Sequence, residues 1–214
     1  MGFTDQMLKW SGKFGDEYTT RNTLSVEELD GLYVKEFGVG ARELFGSFIG
    51  GLDREARILE VGSNSGNMLL MLQAMGFKNI YGVEINSKAV ELCKSRTKGI
   101  NIIQGSAFDV PFRDGYFDLV FTAGVLIHIK PDDINKVLSE IYRCSRRFIL
   151  GIEFFAESYR EIEYRGEQDL LWKTDFEKLY LETFSGLKKV SDKKIKYADS
   201  GKENMIFLME KGKK

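Results

Sequence analysis

The chain has 214 residues, of which 43% are hydrophobic, with 31 Lys and Arg against 32 Asp and Glu. This length suits one domain, and the hydrophobic content excludes a disordered chain, because enough apolar surface can be buried to offset the entropy of ordering. A formal net charge of −1 disfavours a nucleic-acid partner. No apolar run reaches the roughly 20 residues of a membrane helix and no secretory signal is readable, so we expect a cytoplasmic protein without a membrane partner.

The first part of the chain is predicted to be helical and the middle to alternate between strands and helices. Residues 1–50 contain the better helical segments 26–37 and 40–49, and we expect them to cover a sheet as a lid. From Arg57 onward, short apolar runs of strand length are followed by segments of helical spacing. The predicted strands are residues 57–61, 79–83, 100–104, 117–122 and 147–152. This repeated alternation indicates a doubly wound α/β fold with a mostly parallel sheet.

The last part of the chain departs from this alternation. Residues 153–184 form a polar, aromatic-rich stretch, and the β-like runs 187–197 and 204–210 are predicted to form an antiparallel hairpin at the sheet edge. We therefore expect a single domain over residues 1–214. Residues 1–50 form an N-terminal lid, and residues 56–152 form the cofactor-binding core. Residues 153–214 form a substrate-side insertion with edge strands.

The strongest chemical signal is the segment Glu60-Val61-Gly62-Ser63-Asn64-Ser65-Gly66, where a predicted strand runs into a glycine turn that opens a helix. Ligands of doubly wound sheets bind at the carboxyl ends of strands, where glycine lets the backbone approach them. Glu84 lies eighteen residues beyond Gly66 and closes the next predicted strand, a place that suits hydrogen bonds to ribose hydroxyls. The dinucleotide fingerprint G-x-G-x-x-G fails, because Asn64 and Asn67 occupy its later glycine positions. The pattern predicts an adenosine-containing cofactor.

The spacing Glu60-x-Gly62-x-Asn64-x-Gly66 resembles the E-x-G-x-G-x-G loop of class I S-adenosylmethionine-dependent methyltransferases. Asn64 replaces the middle glycine, which is a mild change because Asn tolerates left-handed backbone conformations. The segments 104–112 and 117–120 resemble the G-D-A-x-x-L-P-F and F-D-x-V stretches of the same superfamily. The resemblance implies S-adenosyl-L-methionine as cofactor and a Rossmann-like fold. The residues that it places at the cofactor are Tyr18, Arg21, Glu60, Gly62, Ser63, Asn64, Ser65, Gly66, Glu84, Ile85, Ser106, Ala107, Phe108, Thr122 and Ala123.

Individual roles follow from this resemblance. The loop from Gly62 to Gly66 is expected to supply backbone donors and room for the methionine part of the cofactor. Ile85 and Phe108 are expected to sandwich the adenine ring. Ser106 stands where relatives commonly carry an Asp on the adenine amino group, and its uncharged hydroxyl accepts a weaker hydrogen bond. Tyr18 and Arg21 are expected to close over the site, with Arg21 pairing with the methionine carboxylate; an exposed Arg21 on a surface helix is the alternative.

A narrower resemblance comes from four segments. They are Trp10 to Asn22 (WSGKFGDEYTTRN), Gly124 to Ile129, Tyr164 to Gly166 and Leu171 to Phe176, and they look like the methylases associated with pseudaminic acid biosynthesis. This resemblance implies methyl transfer to an O or N atom of a sugar or sugar-acid intermediate. An Arg and a Lys among aromatic residues suit an anionic, hydroxyl-bearing acceptor, although each residue can equally belong to a surface helix. The candidate substrate-binding residues are Tyr159, Tyr164, Arg165, Trp172 and Lys173.

Two residues are candidate catalytic bases. His128, the only histidine, follows the fourth predicted strand, beside the expected position of the transferred methyl group. An imidazole with an ordinary pKa is mostly neutral at pH 7 and can deprotonate an alcohol or ammonium acceptor. Glu153 ends the fifth predicted strand. A structural His128, a solvated Glu153, and a reaction that needs no side-chain base remain open alternatives.

Other functions are weighed against a small-molecule methyltransferase. A macromolecular methyltransferase acting on protein or nucleic acid is the first alternative, but Thr122-Ala123-Gly124 differs from the [DN]-P-P-[YF] motif of amino-methylating DNA enzymes. A non-catalytic, S-adenosylmethionine-binding regulatory protein would bind the cofactor without turnover. A dehydrogenase is disfavoured by the glycine spacing. One His and two separated Cys do not make a convincing zinc set, so no metal is expected.

Overall fold

A computed structural model describes residues 4–198 and 202–212. A seven-stranded sheet runs through the molecule. Its main strands are β1 (Arg57–Val61), β2 (Asn79–Glu84), β3 (Asn101–Gln104), β4 (Phe117–Ala123), β5 (Ser145–Phe154), β8 (Leu187–Lys196) and β9 (Glu203–Lys211), and β6 (Arg160–Glu161) and β7 (Trp172–Lys173) pair separately. The helices are α1 (Asp5–Ser11), α2 (Lys13–Arg21), α3 (Val26–Phe37), α4 (Ala41–Ile49), α5 (Asn67–Ala74), α6 (Ser87–Arg96), α7 (Ile134–Cys144) and α8 (Phe176–Thr183).

The strand order is β3-β2-β1-β4-β5-β9-β8. The first five strands in this order are parallel, while β9 runs antiparallel to β5 and β8 forms the antiparallel edge. The predicted doubly wound sheet and its edge hairpin are therefore confirmed. Because the order reverses between β1 and β4, the carboxyl ends of these two strands form the switch point at which such sheets bind ligands.

Two apolar clusters pack against opposite faces of the sheet. Successive residues of β1 alternate between them, since Ile58 joins the cluster under α3, α4 and α5 while Leu59 joins the cluster under α7 and α8. Both residues are fully buried, so β1 is covered on both faces. This rigid central strand fixes the position of the glycine loop that follows it.

The helical segments of the lid are close to those predicted. Helix α3 starts at a capping box, in which Ser25 and Glu28 satisfy each other's backbone N–H groups, and it ends at Gly38 in the left-handed conformation. Helices α1 and α2 are separate because the backbone at Gly12 is extended.

The region after β5 is more regular than predicted. The stretch expected to be irregular contains the β6–β7 hairpin and α8, whose N-terminus is capped by the Asp175 side chain. Strand β5 itself continues to Phe154, two residues beyond the predicted end. Cys93 and Cys144 are both free and buried.

Within residues 4–198 and 202–212, no helix is both long enough and apolar enough to cross a lipid bilayer. In the same ranges, no three His, Cys, Asp or Glu side chains are grouped so that they could hold a metal ion.

Candidate active site

A cavity of about 290 Å³ lies at the switch point of the sheet. Its walls come from the carboxyl ends of β1, β2 and β4, from the loops after them, and from the N-terminal helices. Eleven of the predicted cofactor residues line it, namely Tyr18, Glu60, Gly62, Ser63, Asn64, Glu84, Ile85, Ser106, Ala107, Phe108 and Ala123, together with the predicted base His128. Arg21, Ser65, Gly66, Thr122, Glu153 and the five predicted acceptor residues lie outside this lining.

The glycine loop has the backbone geometry that its sequence predicts. Gly62, Asn64 and Gly66 have φ angles of +75°, +46° and +82°, so all three are left-handed. A Cβ on Gly62 would lie 2.6 Å from Val125 Cγ2, and one on Gly66 would lie 2.5 Å from Cys93 Sγ. Glycine is therefore required at these two positions by both conformation and packing, while Asn64 is tolerated.

Four of the loop's five backbone N–H groups, those of Gly62, Ser63, Asn64 and Gly66, already have partners inside the protein. The N–H groups of Gly62 and Ser63 donate to Val83 O at 2.8 and 3.2 Å, and the N–H of Gly66 donates to Ser63 O at 2.9 Å. The Asn64 N–H donates to Glu84 Oε2 at 2.8 Å. These four groups are therefore not free for the cofactor, which departs from the expectation that the loop supplies backbone donors. Its contribution is instead the space beside β1 and the position of Glu84.

Glu84 joins the loop to the start of α6. Its Oε1 accepts the Asn86 N–H at 2.8 Å, and its Oε2 accepts the Asn64 N–H. Burial raises the pKa of this carboxyl, whereas these backbone hydrogen bonds oppose the rise. Each carboxylate oxygen keeps a second lone pair, so the same group can also accept two ribose hydroxyls.

Glu60 is the second carboxyl group of the cavity. It is buried, and its Oε2 has no hydrogen-bond partner within residues 4–198 and 202–212. Burial together with the nearby Glu84 raises its pKa well above the ordinary value. No Lys or Arg lines the described part of the cavity. An unpaired buried acid calls for a cationic partner, and the ammonium and sulfonium groups of S-adenosylmethionine have that charge. The residues present thus fit this cofactor.

The predicted adenine end combines apolar and weakly polar groups. Ile85, Ala107 and Phe108 line it, and Ser106 Oγ accepts the Phe108 N–H at 3.1 Å. Ser106 is therefore used to shape the loop as well as being available to a ligand.

Helices α1 and α2 cover the cavity and are tied to the cofactor loops by side chains that sequence reasoning did not single out. Thr19 Oγ1 donates to Asn64 Oδ1 at 2.7 Å, and Asn67 Nδ2 donates to Asn22 O at 2.6 Å. Asn86 Nδ2 donates to Trp10 O and to Asp16 Oδ1 at 3.1 and 2.8 Å. These contacts join residues far apart in the chain, so no local pattern could have indicated them.

Arg96 supports the other side of the loop. Its guanidinium donates to Ser65 O at 2.9 Å, to Asn67 Oδ1 at 3.0 Å and to Leu24 O. Ser65 is buried beneath this contact, which explains why it does not reach the cavity. Arg96 therefore holds the glycine loop and the α2–α3 connection in one arrangement.

Arg21 does not have its predicted role. It is exposed at the end of α2, where its guanidinium lies 3.9 Å from Glu17 one turn earlier. It is on the outer side of the helix because Thr19, two residues before it, faces the loop. The structure instead matches the alternative given for Arg21, an exposed arginine on a surface helix.

These positions give a matched pair of variants. Thr19→Val keeps the side-chain shape but removes the hydrogen bond to Asn64, so we expect S-adenosylhomocysteine to bind roughly 2- to 10-fold more weakly. Arg21→Ala should leave the affinity within about twofold, because the interaction it removes is an exposed ion pair. Calorimetric titration of both variants tests this, and a larger loss in Arg21→Ala than in Thr19→Val would contradict it.

His128 lies where sequence reasoning placed it. It is buried in a short 3₁₀ turn, Leu126–His128, and its Nδ1 is 2.7 Å from Leu170 O. A carbonyl oxygen only accepts, so Nδ1 carries the hydrogen and Nε2 carries the lone pair. Burial lowers the pKa of His128 to about 4, which keeps the ring neutral at pH 7.

Glu153 is a structural residue. It was expected at the end of a strand, but β5 continues past it and Glu153 pairs with Met205 of β9. Its carboxylate accepts the Val125 and Ile127 N–H groups at 3.2 and 3.4 Å and a hydrogen bond from Thr122. The group is buried under the loop after β4, and both it and Thr122 lie outside the cavity lining. This corrects its assignment as a base and explains the position of Thr122.

Glu153 should affect how stability varies with pH. Burial raises its pKa from 4.5 to about 7, so folding favours its protonated form. The resulting stability is fully present below about pH 4.5 and is lost as the pH rises through about 7. Relative to Glu153→Gln, the wild-type free energy of unfolding should fall by about 3 kcal/mol across this window. Denaturant unfolding at a series of pH values measures the difference, and parallel curves would contradict it.

The predicted acceptor residues lie in and around the β6–β7 hairpin. Tyr164 contacts the His128 ring at a centroid distance of 5.4 Å, and Arg165 lies over Tyr164. Trp172 is buried, Tyr159 is exposed, and Lys173 Nζ lies 4.8 Å from the Phe154 ring centroid. Of these five, Tyr164 has a ring contact with His128, a residue of the cavity lining.

Comparisons with known proteins agree with this geometry. Residues 59–147 match a family model described as a methyltransferase domain. An uncharacterized methyltransferase of Staphylococcus carnosus is 28% identical over 144 residues, which is 64% of this chain and 67% of that protein. A ribosomal protein L11 methyltransferase of Clostridium botulinum is 29% identical over 137 residues, 58% of this chain but 42% of that protein.

A solved structure extends the likeness to the whole chain. The 1,6-didemethyltoxoflavin-N1-methyltransferase of Burkholderia thailandensis, solved with bound 1,6-didemethyltoxoflavin and S-adenosylhomocysteine, has a TM-score of 0.68 at 14% identity. The match covers 100% of this chain and 93% of that one, and at such low identity it shows the fold. Residues 59–147 match a methyltransferase domain and the fold is the Rossmann-like fold of class I methyltransferases, so these findings support S-adenosylmethionine-dependent methyltransferase activity.

Proposed function

We propose that the chain transfers a methyl group to an O or N atom of a small molecule. The supporting observation is that α1 and α2 cover the cofactor side of a cavity of about 290 Å³. This volume is near the lower limit of small-molecule clefts, about 300 Å³, and so suits a small ligand. The acceptor class implied by the sequence resemblance, a sugar or sugar acid, remains a prediction, as does a cytoplasmic location.

In the proposed reaction, the cofactor and the chain have separate roles. S-adenosylmethionine supplies an electrophilic methyl group on a sulfonium, so the acceptor needs a lone pair aligned with the bond that breaks. The chain holds the cofactor through Glu60 and Glu84 and covers it with the N-terminal helices. Catalysis then rests mainly on positioning and on exclusion of water.

The charge of the lining bears on the acceptor. Two carboxyl groups and no Lys or Arg line the described cavity, so a neutral, hydroxyl-rich group fits there better than an anionic one. A sugar acid would have to place its carboxylate outside this lining. Arg165 and Lys173 are the basic residues predicted from the sequence for that purpose, and both lie outside it.

The first test is cofactor binding. Calorimetric titration with S-adenosylhomocysteine should show saturable binding, whereas NAD titrated in parallel should show none. Binding of NAD alone would overturn the interpretation of the glycine loop.

The second test concerns the acceptor. The purified chain is incubated with S-adenosylmethionine and with separate panels of nucleotide-linked sugars, acidic sugars and ribosomal proteins, and methylated products are detected by mass spectrometry. A methylated sugar supports the proposal. A methylated ribosomal protein would favour the macromolecular alternative, for which the Clostridium botulinum relative is the supporting observation. Cofactor binding without transfer to any panel would favour a regulatory protein.

A further inference from the structure

We infer that the methyl acceptor is a neutral hydroxyl group, held between the indole N–H of Trp10 and Nε2 of His128. This inference rests on the proposed function and narrows it from an O or N atom to oxygen. The two side chains line the same cavity and their rings are in contact. Trp10 belongs to α1, His128 follows β4, and their ring centroids are 4.4 Å apart.

His128 presents a fixed hydrogen-bond acceptor. Its Nδ1–H is held by Leu170 O, so the ring cannot change tautomer without losing a buried hydrogen bond. Its Nε2 has no hydrogen-bond partner among residues 4–198 and 202–212, although the ring is buried and lines the cavity. The imidazole contacts Trp10 on one side and Tyr164 on another. A ligand group beside Nε2 must therefore donate a hydrogen.

Trp10 presents the complementary donor. Its Nε1–H is buried and has no partner within the described ranges, even though the residue lines the cavity. An indole nitrogen only donates, and leaving a buried donor unpaired is costly, so a bound group that accepts from it gains affinity. The residue is held in place by the Asn86 amide on its carbonyl and by edge contacts with Phe14 and Tyr18.

A donor next to an acceptor selects oxygen over nitrogen. A hydroxyl oxygen has two lone pairs and one hydrogen. It can accept from Trp10, donate to His128, and still direct one lone pair at the methyl carbon. A neutral amine has a single lone pair, and accepting the indole N–H would consume the pair needed for attack. An ammonium ion has no lone pair to offer.

In the same arrangement, His128 Nε2 can accept the proton that the hydroxyl group loses. As the oxygen forms its bond to the methyl carbon, the electron pair of the broken C–S bond stays on sulfur, and the oxygen becomes positively polarised. Its O–H bond then breaks, the bonding pair stays on oxygen, and the proton moves to His128 Nε2. The Nδ1–H remains bonded to Leu170 O throughout. The low pKa of His128 suits this role, because the base is free at neutral pH and the methylated oxygen is strongly acidic.

The test does not require the acceptor to be known. The chain is incubated with S-adenosylmethionine labelled with ¹³C in its methyl group and with a low-molecular-mass cell extract. The ¹³C chemical shift of the transferred methyl distinguishes O–CH₃ from N–CH₃. An O–CH₃ product is expected. A solely N–CH₃ product would overturn the inference while leaving the proposed function intact, and no product from any extract would overturn both.

A second readout is independent of turnover. Because His128 is the only histidine, its ¹⁵N resonances in the labelled protein need no assignment. We expect a protonated Nδ1 and an unprotonated Nε2 at pH 7, in the presence of S-adenosylhomocysteine. The opposite tautomer, or a charged ring, would overturn the inference without any substrate.

The variants complete the test. Trp10→Phe keeps an aromatic ring but removes the donor, and we expect it to lower the rate of O-methyl formation at least roughly tenfold. His128→Gln keeps an acceptor but removes the base, and a loss of about 100-fold or more is expected. Both should bind S-adenosylhomocysteine with near wild-type affinity, which shows that they are folded. Wild-type rates in Trp10→Phe would overturn the inference.

Discussion

Replacing Glu84 with glutamine is expected to weaken S-adenosylhomocysteine binding by at least roughly tenfold and to lower the free energy of unfolding by about 1–3 kcal/mol. The carboxylate accepts the Asn64 N–H on one oxygen and the Asn86 N–H on the other. The amide nitrogen of glutamine cannot accept, so one of these N–H groups faces another donor inside the protein. The glycine loop or the start of α6 must then move, and the ribose loses a charged hydrogen-bond acceptor.

The measurements are calorimetric titration and denaturant unfolding of the same preparation. Glu91→Gln is the matched control, because Glu91 is an exposed residue of α6 whose carboxylate pairs with Lys94 at 2.8 Å. It should change neither quantity by more than about 0.5 kcal/mol. If Glu84→Gln behaves like Glu91→Gln, Glu84 does not organise the site.

Gly62→Ala is expected to destabilise the protein by roughly 2–5 kcal/mol and to remove measurable cofactor binding. Two penalties add at this position. The φ angle of +75° is left-handed, and the new Cβ would lie 2.6 Å from Val125 Cγ2. Because Val125 belongs to the loop fastened by Glu153, it cannot withdraw without breaking that hydrogen bond.

Gly38→Ala separates the two penalties. Gly38 ends α3 with φ +73°, and a Cβ there would meet no described residue within 4 Å. Gly38→Ala should lower the free energy of unfolding by about 1–2 kcal/mol, because only the left-handed backbone conformation is unfavourable for alanine there. The difference between the two variants then measures the clash with Val125, and Val125→Ala in the Gly62→Ala background should recover part of it. Equal losses in Gly62→Ala and Gly38→Ala would show that packing at the loop is not tight.

The sheet and the glycine loop could be predicted because their signals are local. Strand β1 matches its predicted bounds, and the other parallel strands differ by a few residues at their ends, since a parallel strand buried on both faces appears as a continuous apolar run. Glu60, Asn64 and Glu84 are fixed by the strands that precede them. Their place in the cavity follows from the topology.

The parts that could not be predicted depend on contacts between distant segments. Thr19 and Arg21 are two residues apart on one helix, and only the packing of α2 decides that Thr19 meets Asn64 while Arg21 is exposed. The position of the Glu153 side chain on β5 could not be predicted from the local sequence either. A shift of two residues in the end of β5 moved its carboxylate from the expected strand end to a position beneath a loop.

The buried acids of the cavity have a consequence for turnover. Glu60 and Glu84 line it without a Lys or Arg in the described lining. A carboxyl pair of this kind attracts the positively charged sulfonium of the methyl donor more strongly than the uncharged thioether left behind after transfer. The chain should therefore hold its donor more tightly than its spent product. The loss of one positive charge in the reaction therefore favours release of the product.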